Sequence, residues 1–106
     1  MRIIVALALL ASATLPTFGQ GFESMKIATA LGTVLASEKL CGLSYDQAAI
    51  SAFIESNVPA DDMDFPATLQ MMIQGQGYNL KGMSESAKTA HCTQIARTAK
   101  SYKFIQ

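Results

Sequence analysis

Residues 41–59 read CGLSYDQAAISAFIESNVP, and this stretch decides the fold. Cys41 and Gly42 open it; glycine is the natural residue just past a helix end. Ser44-Tyr45-Asp46-Gln47 fits a capping box, with Ser44 as N-cap and Gln47 reaching back to it. Ala49, Ile50, Phe53 and Ile54 then recur at the three- and four-residue spacing of one helical face. Asn57-Val58-Pro59 closes the segment, because proline cannot continue a helix and disfavours helical geometry at the residue before it. One complete helix is therefore written between Cys41 and Pro59.

The flanking segments follow the same period. Upstream, Phe22 to about Lys39 carries Ile27, Leu31, Val34 and Leu35 on one face. Gly32 weakens that helix by about 1 kcal/mol relative to alanine, so packing must compensate. Downstream, a third helix starts between Ala60 and Pro66. Asp61, Asp62 and Asp64 suit its positive end, Pro66 suits a first turn, and Phe65, Leu69, Met72 and Ile73 form its stripe. Gly75 and Gly77 are expected to stop or fray it. Residues 77–82 form a loop. Ser84 then caps a fourth helix in which Cys92, Ile95, Ala99 and Tyr102 face inward, with Lys100 and Lys103 in its last turns. No stretch alternates as a strand would. The expectation is an all-α fold, a small bundle of about four helices around one core.

The first 20 residues, MRIIVALALLASATLPTFGQ, are of another kind. Arg2 supplies a short positive region, Ile3–Leu10 an apolar run, and Thr17 and Gly19 the small residues that precede a cut before Gln20. This is the layout of a secretory signal peptide over residues 1–19, leaving a single helical domain at 20–106. A membrane anchor is the rival reading. A spanning helix wants about 20 predominantly apolar residues, and Ser12, Thr14, Pro16, Thr17 and Gln20 interrupt this one. The mature chain is expected in the periplasm or outside the cell, without stable membrane insertion.

That chain holds seven basic and eight acidic side chains, a net charge of −1, with one histidine. So weak a field offers no steering to nucleic acid. Cys41 and Cys92 are the only cysteines of the sequence. In an oxidising compartment the pair is expected to form a structural disulfide closing a 52-residue loop around the second and third helices. Chain-entropy arithmetic gives about 4 kcal/mol for such a loop. A small domain totals only about 5 kcal/mol.

Candidate chemistry is thin, and no catalytic, cofactor-binding or metal-ligating residue is assigned. Asp61-Asp62-Met63-Asp64 lacks the glycine and closing glutamate of a calcium loop and reads as helix capping. Met25, Met63, Met71, Met72 and Met83 suggest Cu(I) ligation, but they form no short repeat and read as core fillers. His91 has no nominated nucleophile beside it. The sequence holds no G-x-S-x-G elbow, phosphate loop, H-E-x-x-H pair or Cys-x-x-Cys site.

Residues 31–59, LGTVLASEKLCGLSYDQAAISAFIESNVP, together with SAKTAHCTQIARTAKSY at 86–102, resemble a group of small exported helical proteins of alphaproteobacteria. Some of these carry the name signal recognition particle. That name does not fit a chain with its own export signal, no phosphate loop and no basic surface. The resemblance implies compartment and fold and adds no mechanism. A looser resemblance, in architecture and around Cys41 and Cys92, is to the periplasmic acid-stress chaperones of the HdeA type. It implies a protein that loosens in acid and holds unfolding clients. The chain is expected to be a non-catalytic binding or interaction module for an apolar ligand or protein clients, and the looser resemblance implies an acid-stress holdase as the alternative.

Overall fold

A computed structural model describes residues 17–106. It contains four α-helices: α1 (Thr17–Ala36), α2 (Gln47–Asn57), α3 (Phe65–Asn79) and α4 (Glu85–Ser101). There is no strand among the described residues. The fold is all-α, and Cys41 and Cys92 are joined by a disulfide with Cα atoms 5.3 Å apart. The export segment read at residues 1–19 lies outside the described residues, except for Thr17–Gly19, which belong to α1.

The core is assembled from three of the four helices. Ala28, Leu31 and Val34 of α1 are buried against Phe65 and Leu69 of α3 and Ile95 and Ala99 of α4. The closest crossing is that of α1 with α3, and Gly32 makes it possible. A Cβ at Gly32 would stand 2.7 Å from Met72 Cβ and 3.3 Å from the Met72 carbonyl carbon. The helix propensity lost at Gly32 is thus exchanged for backbone proximity.

Helix ends are tied by backbone bonds. After Ala36 the chain keeps turning: Leu43 N–H donates to Glu38 O at 2.9 Å and Gly42 N–H to Lys39 O at 3.1 Å. Gly42 has φ +66°. This is a Schellman closure with glycine in the left-handed position, at the stop expected from the sequence. α4 ends the same way, Phe104 N–H donating to Ala99 O at 2.8 Å and Lys103 N–H to Lys100 O at 2.9 Å. Here the left-handed residue is Lys103, φ +70°. The closure turns Phe104 back into the protein, where it is 1% exposed. Its ring lies 5.6 Å from Tyr45, 5.8 Å from Phe53 and 5.4 Å from Tyr102. Tyr102 and Phe53 are 4.5 Å apart. This aromatic cluster holds α2, which has no fully buried residue of its own. Asp46 N–H donates to Phe104 O at 2.9 Å, fixing the chain end to the start of α2.

Several expectations are corrected. α1 already includes residues 17–21, ahead of Phe22, and ends at Ala36 rather than near Lys39. The N-cap of α2 is Asp46, not Ser44: the Asp46 carboxylate accepts from Ala48 N–H at 3.0 Å. Tyr45 explains the shift. Its ring is buried, its hydroxyl donates to Val34 O at 2.8 Å and its N–H to Glu38 Oε2 at 2.8 Å, so the helix starts only beyond it. Gly75 and Gly77 do not stop α3, which runs to Asn79. Leu80 N–H still donates to Gln76 O at 3.0 Å, and the left-handed glycine that follows is Gly82, φ +82°. Ser84 caps α4 as read, accepting from Ala87 N–H at 3.1 Å.

Candidate functional site

Pro59 and Pro66 bracket the connection between α2 and α3 and shape its surface. Val58, held extended before Pro59 (φ −123°, ψ 133°), ends α2. The chain then folds tightly, with Asp62 N–H donating to Pro59 O at 3.1 Å and Phe65 N–H to Asp62 O at 3.3 Å. Pro66 stands in the first turn of α3. These turns hold α2 and α3 apart along one side and leave a groove between them.

The groove has two connected parts that share Ile54, Phe65 and Pro66. One, of about 290 Å³, lies under the connection, walled by Val58, Pro59 and Met63. The other, of about 470 Å³, runs along α3 past Leu69 and Ile73. Each is within or near the size range of small-ligand sites, and their lining is predominantly apolar. The polar side chains in the lining are Glu55 of α2, Asp62 of the connection, and Gln70 and Gln74 of α3. Met63 is 80% exposed at the mouth. No lysine or arginine lines either part.

Two sequence expectations change here. The acidic run does not cap α3. Asp64 occupies the N-cap position in helical geometry (φ −85°, ψ −13°) and its side chain makes no capping hydrogen bond. Among the described residues no three His, Cys, Asp or Glu side chains converge as a metal site. The methionines are not all core fillers either. Met72 packs against the core, but Met25, Met63 and Met71 are 47%, 80% and 65% exposed.

His91 does have a neighbour. Its Nε2 lies 2.8 Å from Ser37 Oγ, and Ser37 is fully buried. The Ser37 hydroxyl donates to Thr33 O at 2.7 Å, and a carbonyl can only accept. The hydroxyl's single proton is thereby committed, so His91 Nε2–H is the donor. That polarity is opposite to a base drawing a proton from a nucleophile. The pair is a brace. It joins the end of α1 to α4 one turn before Cys41 and one residue before Cys92, beside the disulfide. The sequence held a signal for it: once Cys41 and Cys92 are bridged, residues 37 and 91 become neighbours.

The buried Tyr45 hydroxyl is pushed up to about 12, by burial first and then by the nearby Glu38 carboxylate. It serves the packing of α1 against the start of α2 and lines none of the groove. A second, more open depression of about 530 Å³ lies over the aromatic cluster, between Phe53, Tyr102 and Lys103. Among the described residues no helix is long and apolar enough to cross a membrane. No protein-family model matches this chain, and no curated protein or solved structure shows significant similarity to it.

Proposed function

We propose that this protein is a non-catalytic binding module of an extracytoplasmic compartment, and that it takes apolar groups in the groove between α2 and α3. The observation that carries the reading is the groove itself: Ile54 and Ile73 line it together with the edges of the core residues Phe65 and Leu69, and its surface is predominantly apolar. Exposed thioethers suit such a surface, because methionine is flexible and polarizable and adapts to varied apolar partners. The compartment follows from the leader-like first 19 residues together with the disulfide.

The test uses the methionine methyls as NMR reporters on the disulfide-bonded protein. A neutral alkyl glycoside below its micelle concentration should shift Met63 saturably and leave Met71, which lines neither part of the groove, unmoved. Ile54→Gln should abolish the response while circular dichroism shows the helices intact. Equal shifts at both methyls, or none at Met63, would refute the groove. Binding seen only near pH 3, accompanied by loss of tertiary structure, would replace this reading with the acid-stress holdase. Mass spectrometry of the protein from an exporting cell, alkylated with and without reductant, checks the leader cut and the bridged cysteines.

A further inference from the structure

The groove ends on carboxylates. Glu55 of α2 and Asp62 of the connection both belong to its lining, as does Met63. Asp62 and Asp64 also line the adjoining depression on the far side of Phe65, next to Met25. Neither depression has a lysine or arginine in its lining. Asp64 makes no capping bond, and among the described residues no three His, Cys, Asp or Glu side chains converge as a metal site. An apolar channel that opens on uncompensated negative charge selects its occupant by charge as well as by hydrophobicity.

The shape narrows the occupant further. Lining residues on α3 extend from Pro66 to Gln74, about 12 Å at the helical rise, or two turns. Both walls are helices, whose backbone groups are internally bonded, so there is no strand edge on which an extended peptide could form a ladder. A helix brings its own backbone satisfied and offers side chains at three- and four-residue spacing to such a channel. We propose that the occupant is a cationic amphipathic helix of a partner protein, with apolar side chains seated on Ile54, Phe65, Leu69 and Ile73 and lysine or arginine side chains facing Glu55, Asp62 and Asp64. This deepens the groove reading above and rests on it.

Three probes separate the two. They are a leucine–lysine peptide of about four helical turns patterned as an amphipathic helix, its leucine–glutamate counterpart, and the neutral alkyl glycoside. All are titrated into the disulfide-bonded protein with Met63, Met25 and Met71 as reporters. The leucine–lysine peptide should shift Met63 and Met25, gain helicity on binding, spare Met71, and weaken as salt is raised. The leucine–glutamate peptide should bind at least tenfold more weakly. The triple variant Glu55→Gln, Asp62→Asn, Asp64→Asn should bind the lysine peptide about tenfold more weakly, the sum of three charge pairs, and so lose its preference for the lysine over the glutamate peptide. Equal binding of the two peptides, an unaltered triple variant, or glycoside binding with neither peptide bound would overturn the cationic-helix proposal and leave the groove standing. Silence of Met63 toward all three probes would overturn both.

Discussion

Gly32→Ala tests the packing of the whole domain with one methyl group. The new Cβ would lie 2.7 Å from Met72 Cβ, whereas ordinary contact begins at 3.4 Å. The helices α1 and α3 would have to part locally by about 0.7 Å, the difference between those two distances. The atoms in the way are Met72 Cβ and its carbonyl carbon, which no side-chain rotation removes. Overpacking of this kind costs about 1–3 kcal/mol. The helix gains about 1 kcal/mol from alanine in place of glycine. The net is a destabilisation of about 1 kcal/mol, and Gly32→Leu should cost about 3 kcal/mol. Gly75→Ala is the matched control. Gly75 is exposed within α3 and a Cβ there meets nothing within 4 Å, so the same exchange should stabilise by about 0.5–1 kcal/mol. In a domain of this size the two alanines should move the melting temperature in opposite directions by several degrees, about 4–8 °C per kcal/mol. Thermal and urea unfolding followed by circular dichroism, with the disulfide intact, reads this directly. A Gly32→Ala protein as stable as Gly75→Ala would show that α1 and α3 do not meet backbone to backbone.

Three further outcomes are expected. Cys41→Ser with Cys92→Ser should lower stability by about 4 kcal/mol, given the 51-residue separation, and leave the protein largely unfolded at moderate urea; a loss under 1 kcal/mol would refute the role given to the bridge. Tyr45→Phe should cost about 1 kcal/mol at neutral pH by removing one of the two hydrogen bonds that Val34 O accepts, the other coming from Ser37 N–H at 3.2 Å. Because the folded protein keeps the Tyr45 proton to about 12 while the unfolded chain loses it near 10, that residue's contribution is complete below pH 10 and declines as pH rises toward 12. Urea midpoints of the two proteins should therefore converge in that window, and parallel profiles would count against the buried hydroxyl. Lys103→Gly should raise stability by about 0.5–1 kcal/mol, since glycine relieves a left-handed backbone that costs other residues about 1–2 kcal/mol; a lower melting temperature would refute the strain.

What the residues announced and what they withheld have different physical origins. The four helices were legible because their apolar stripes and breakers are local: Gly42 and Ser84 act within a few residues of themselves. The Cys41–Cys92 pairing was legible because a sequence with only two cysteines allows one intramolecular bridge. The start of α2 was misread because Ser44 and Asp46 are both good caps two residues apart. The choice between them was made by Tyr45, whose bonds to Val34 and Glu38 are tertiary. Gly75 and Gly77 looked like a stop, yet α3 passes through them because Leu69, Met72 and Ile73 hold it on the core. The groove was beyond reach for a related reason. Phe65 and Ile54 belong to ordinary apolar stripes, and only the mutual placement of α2 and α3 decides that one side of them stays open. Nor does composition distinguish a methionine that fills a core, such as Met72, from one that stands in solvent, such as Met63.

The sulfur bridge also changes what a cut in the chain means. Residues 41 to 92 form a covalent ring, and the stretch from Pro59 to Asp64, where the backbone leaves α2 for α3, lies on it. A protease that severs that stretch opens the ring without dividing the molecule. The nicked product would keep its mass, plus one water, on a non-reducing gel and fall into two fragments only when a thiol is added. The connection that walls the groove is in this way a part whose scission the architecture can survive.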